Sequence, residues 1–104
     1  MKKLKDLICK ADDTLEEIWF YAEQATLLKE SDRSLADTYI KIAEMHITIY
    51  NMLHEKMVTL INEEKAKGTT IPKVMFEIWE YDHSRLIKEF SMAKILIDEF
   101  KNKY

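Results

Sequence analysis

Apolar positions in this chain recur with the period of a helix over three long runs. From Leu4 to Ala25, the residues Leu4, Ile8, Ala11, Leu15, Ile18, Ala22 and Ala25 alternate spacings of four and three without a miss. At about 100° per residue that alternation keeps them on one stripe, the seam a helix turns toward partner helices. Trp19 and Tyr21 fall on the shoulders of the seam, and Phe20, Leu27 and Cys9 on nearly the opposite face. A later run, Phe76, Trp79, His83, Leu86, Phe90, Ala93, Ile97, Phe100 and Tyr104, repeats the same alternation. Two amphipathic helices are predicted, over about 3–30 and 71–103.

The run between them is different. Tyr39, Ala43, His46, Tyr50, Leu53 and Met57 form one stripe, and Ile42, Met45, Ile49 and Met52 a second stripe beside it. Ile40 and Ile47 flank the first stripe on its other side, leaving only Lys41, Glu44, Thr48, Asn51 and Glu55 as a polar strip. A helix this apolar, predicted over about 33–67, must be covered on several sides.

The breaks between the runs carry turn chemistry. In Glu30-Ser31-Asp32-Arg33-Ser34, the expected cap of the second helix is Ser34, with Asp37 three residues on, and Asp32 competes for the role. Gly68 supplies a left-handed stop after Lys65 and Lys67, which suit a helix C-terminus. Thr70 and Pro72 then read as the cap and first turn of the third helix. Connections this short join antiparallel neighbours. The expected fold is all-α: a single domain over 1–104, an up-down-up antiparallel three-helix bundle.

Three helices each need one apolar stripe, and the second offers more. The sequence therefore predicts self-association, with Ile42, Met45, Ile49 and Met52 docking on another copy. A twofold dimer gives a six-helix core. Phe20 and Leu27 are expected as additional contacts.

Composition narrows the class. The 104 residues hold 47% hydrophobic and 34% charged side chains but only one Gly and one Pro, which favours long helices over loops. The net charge of −3 comes with a basic start (Lys2, Lys3, Lys5, Lys10) followed by Asp12, Asp13, Glu16, Glu17 and Glu23 with no base between them. No basic stripe runs along any predicted face, so nucleic acid is not an expected partner. No apolar stretch approaches the roughly 20 residues of a membrane span. A lone cysteine, Cys9, allows no disulfide within the chain. A cytoplasmic location is expected.

Candidate chemistry is sparse. The single Gly excludes the Gly-rich phosphate loops. Glu80 and His83 form a Glu-x-x-His on the third helix, half of a di-iron carboxylate pattern. Matching chain lengths across the turns brings His54 and Asp12 to about the same level, so Asp12, His54, Glu80 and His83 form the minority metal site, for iron, manganese or zinc. The angles weigh against it: Glu80 sits about 100° from Trp79. No cofactor and no bound metal is the main expectation. His46 and His83 are expected as core-edge histidines bonded to a Tyr or a carboxylate, and His54 at the rim. Met45, Met52, Met57, Met75 and Met92 are expected to fill gaps, and Trp19 and Trp79 to anchor the core or an interface.

The segments Tyr21-Ala22-Glu23-Gln24-Ala25 and Asp32-Arg33-Ser34-Leu35-Ala36-Asp37-Thr38-Tyr39, followed by Ala43, resemble the first two helices of ferritin-like proteins of the rubrerythrin type. They are more similar still to small helical proteins of phages and prophages of Gram-positive bacteria, an impression that Met52-Leu53-His54 and the Gly68–Pro72 turn share. The ferritin-like pattern Ala-x-x-Glu-x-x-His, registered on Ala43, places its ligands at His46 and Ile49, which are the wrong residue types. Glu80-x-x-His83 matches a later Glu-x-x-His, and a fourth helix is missing. The resemblance implies a ferritin-like scaffold that has lost its metal chemistry. The expected role is non-enzymatic: a self-associating structural or protein-binding bundle, possessing an apolar face that could instead receive a foreign helix. The alternative is a ferritin-like metal-binding protein with oxidase or storage activity.

Overall fold

The computed structural model describes residues 2–68 and 73–103. They form helix α1 (Lys2–Leu28), helix α2 (Arg33–Ala66) and helix α3 (Lys73–Lys103), packed side by side into a rod of 55 × 19 × 18 Å. The protein is all-α, and no strand occurs among the described residues.

The turn from α1 to α2 is closed by Asp32. Its backbone N–H donates to the Leu28 carbonyl at 2.8 Å, ending α1, and its Oδ1 accepts from the Leu35 N–H at 3.0 Å, opening α2. The expected cap Ser34 is instead inside the helix, where its carbonyl accepts from the Thr38 hydroxyl. Starting two residues earlier lets Arg33 donate to Asp37 at 2.9 Å one turn on, a pair a Ser34 cap would forgo. At the far end of α2 the Lys67 and Gly68 N–H groups donate to Glu63 and Lys65, and Gly68 has φ +68°, the left-handed residue expected there. The expected cap Thr70 and first-turn Pro72 lie outside the described residues.

The seams become the core. Leu4, Ala11, Leu15, Ile18, Ala22 and Ala25 of α1 are buried, with Ile8 packed against them. So are Ala43, Tyr50 and Met57 of the first α2 stripe, with Ile40 and Ile61. Trp79, Leu86, Ala93, Ile97 and Phe100 do the same for α3. Small residues set the spacing: α1 and α2 pack most closely, with Ala11, Ala22, Ala25, Ala36 and Ala43 among the buried residues. Helix α3 meets the pair through large rings and long side chains. Arg33, Glu44, Tyr50 and His54 of α2 meet Phe100, Lys101, Phe90 and His83 of α3. Tyr21 of α1 packs on Tyr39 and His46 of α2, and Asp12 of α1 meets Arg85 of α3.

The methionines divide. Met57 fills the core as expected, but Met45, Met52 and Met92 are exposed. Met45 and Met52 belong to the second α2 stripe, which the other two helices do not reach.

Candidate functional site

The stripe predicted for self-association is largely uncovered. Met45 is 66% exposed, Ile49 46% and Met52 66%, while Ile42 at the edge nearer the core is half-buried. These residues recur at three- and four-residue spacings, so they make one continuous apolar strip. Phe20 (52% exposed) and Leu27 (73%) on α1 are also open to solvent. Phe20 faces a groove shared with α3, so it does not extend the α2 strip. Among the described residues, no helix is long and apolar enough to cross a membrane, so a lipid span does not explain this apolar surface.

The other candidate chemistry lies between α2 and α3. His54 and His83 approach through their Nε2 atoms at 2.8 Å, with ring centroids 4.9 Å apart and planes 12° apart. Near-coplanar rings at that separation meet edge to edge, because a face-to-face stack would hold the nitrogens further apart. The contact is an in-plane N–H···N hydrogen bond. It needs one protonated and one bare Nε2, so the two rings cannot both be imidazolium and keep it. The pair is roofed by Trp79, stacked on His83 at 4.6 Å, and continues through Tyr50 to Phe90, stacked at 4.4 Å. Burial, and then the neighbouring His54, hold the His83 imidazole below its ordinary pKa. His54 is thus not at the rim, as expected: it sits one turn from the buried Tyr50 on the same ridge and is half-buried. Its partner is the other histidine, and among the described residues neither Tyr nor carboxylate bonds His83. His46 also departs from expectation, placing Nδ1 at 2.9 Å from the Ile42 carbonyl while stacking on Tyr21.

Two of the four minority metal ligands therefore come together and two do not join them. Asp12 Oδ1 accepts from Arg85 Nη1 at 3.1 Å, and Glu80 is exposed. Among the described residues no group of three or more His, Cys, Asp or Glu is placed to hold a metal ion. An edge-to-edge imidazole pair can hold and pass a proton, but it offers too few donors to enclose a structural transition metal.

Sequence reasoning missed two neighbours of this column. Arg85 bridges Asp12 and Glu89 across the α1–α3 contact, with Nη1 donating to both at 3.1 and 3.2 Å. The Tyr50 hydroxyl is buried with no hydrogen-bond partner among the described residues, and burial pushes its pKa up to about 12. The signal for Arg85 was its place on the shoulder of the α3 seam, one position before Leu86. Nothing in the sequence signals the orphaned hydroxyl, which depends on how far α3 stands from α2.

The chain matches no protein-family model, no curated protein and no solved structure.

Proposed function

We propose that this chain is a non-enzymatic, self-associating protein with a structural or protein-binding role, built as an up-down-up three-helix bundle that pairs through the outer face of α2. The observation that carries the reading is the exposed strip Met45, Ile49 and Met52, continuous with half-buried Ile42. The order of the inter-helix contacts supports the up-down-up arrangement, since higher-numbered residues of α2 meet lower-numbered residues of α3. A phage or prophage setting rests only on the resemblance of residues 21–25, 32–39 and Ala43, with residues 52–54 and 68–72.

Magnitudes favour a weak dimer. Fully burying a Met or Ile side chain is worth roughly 1.5–3 kcal/mol. Covering the exposed part of three such side chains on each of two copies yields on the order of 8 kcal/mol. Association costs about 4–15 kcal/mol before any contact is made. The strip alone thus comes close to break-even, and Ile42 with the alkyl stems around it must supply the remainder. Sedimentation equilibrium from micromolar to millimolar concentration tests the reading. We expect a monomer–dimer equilibrium in the native protein and a monomer for Ile49→Glu with an unchanged helical spectrum. A native chain that stays monomeric throughout refutes it.

A further inference from the structure

A second surface, sharing no residue with the α2 strip, runs between α1 and α3. Two confluent depressions of about 520 Å³ each share Trp19, Arg85 and Glu89. Leu15 and the half-buried Trp19 line the groove, and Phe20 (52% exposed) and Met92 (50%) add apolar surface from opposite sides. The α1 wall also bears Glu16 and Glu23, one on each side of Trp19 and Phe20 in sequence. They stand seven residues apart, two turns, or about 10.5 Å along the axis. Arg85 is committed to Asp12 and Glu89, and Lys88 borders only the part of the groove that Met92 lines, whereas Glu16 and Glu23 in the other part have no ion-pair partner among the described residues.

An apolar trough with two unpaired carboxylates two turns apart is complementary to one kind of object. A helix with Lys or Arg at i and i+7 and a bulky apolar residue at i+3 or i+4 presents cations at that same spacing, whichever way it runs. We propose that the α1–α3 groove docks a cationic amphipathic helix of another protein in this register. The carboxylates would select for charge and set the register, while Trp19, Phe20 and Met92 would supply the buried contact. A second copy of this chain is the poorer occupant. Its exposed pairs Lys3/Lys10 and Lys94/Lys101 have the required spacing, but Leu7 and Ile97 between them are packed in its own core and Lys101 is paired with Glu44.

The test titrates the full chain into a labelled synthetic helical peptide carrying Arg at i and i+7 and Leu at i+3 and i+4, read by fluorescence anisotropy. The expected result is saturable binding that weakens with added salt. It should weaken by about tenfold in the double variant Glu16→Gln/Glu23→Gln, as two exposed ion pairs would give, and persist in Ile49→Glu. Both glutamates are exposed, so the double variant should retain the native helical spectrum. No saturable binding overturns the proposal, as does equal binding by the double variant or by a peptide with Glu in place of Arg. Loss of binding in Ile49→Glu would assign the peptide to the α2 face and also overturns it. A native particle whose mass falls in the double variant would make the occupant a second copy, and the proposal would fall in that case too. Because the readout is peptide binding, its failure leaves the self-association of α2 standing, and a monomeric native chain leaves this groove intact.

Discussion

At the scale of single residues, the His54–His83 bond ties stability to pH. Burial and the nearby His54 lower the His83 pKa from its ordinary 6.5. The unfolded chain therefore binds more protons than the folded one just below that value. The contribution is fully present above the unfolded pKa and is lost as pH falls through the depressed folded one. Thermal unfolding followed by circular dichroism should show a transition temperature that falls as the solution is acidified below pH 6.5. In His54→Gln the proton titration of His83, followed by its ring resonances, should move back toward 6.5, because one cause of the depression is gone. A titration unchanged by that substitution would mean burial alone sets it. Tyr50 makes the complementary case. Its hydroxyl is desolvated without a partner among the described residues, and such a group costs more than it returns. Tyr50→Phe should leave stability unchanged or raise it by up to about 1 kcal/mol, measured by urea unfolding. Loss of stability would show that the hydroxyl has a bonding role. With its pKa near 12, the Tyr50 phenol should also supply a late component in an alkaline ultraviolet titration of the native protein, absent from that of Tyr50→Phe.

At the scale of the elements, the ends of α2 show what a cap contributes. Asp32 satisfies the Leu35 N–H with its side chain, while Ser34 takes part through its carbonyl. Asp32→Ala should cost about 1 kcal/mol, and Ser34→Ala should leave stability nearly unchanged, both read from chemical unfolding. The reverse order would place the helix start two residues later. Local chemistry alone allowed both residues, and the start at Asp32 adds the Ala36 N–H bond to its carbonyl as well as the exposed Arg33–Asp37 pair. The three seams were legible because a four–three alternation depends only on the period of the helix, and Leu15, Ile18, Leu86 and Ala93 are buried as that period requires. That His54 lies level with His83 was legible from the chain lengths across the turn, but the direct bond between their Nε2 atoms was not. It depends on the rotation of α3 about its own axis and on the distance at which Trp79 and Phe90 hold it, both set by side chains meeting across the interface. The exposed α2 strip could be read from an excess of apolar positions on one element. The α1–α3 groove could not, since its walls belong to residues nearly seventy positions apart.

At the scale of the whole molecule, the rod is long and thin, 55 Å by 19 Å by 18 Å, so few of its residues lie far from solvent. A partner that covers the α2 strip would then add a substantial part of the total burial, and folding and association would be linked. Linkage has a signature that no intramolecular contact can imitate: the unfolding temperature rises with protein concentration, because mass action favours the state that binds. We expect that rise in the native chain and a concentration-independent transition in Ile49→Glu, both followed by helical ellipticity. The magnitude is informative as well. A strip left at break-even gives a flat transition even at millimolar chain, because a millimolar dissociation constant already needs about 4 kcal/mol of net affinity, whereas an interface that also recruits Ile42 and its neighbours brings the dependence into the millimolar range or below. A native transition as flat as that of Ile49→Glu over the whole range would mean that Met45, Ile49 and Met52 stay wet in solution, and the cost of their exposure would have to be met by the single three-helix core.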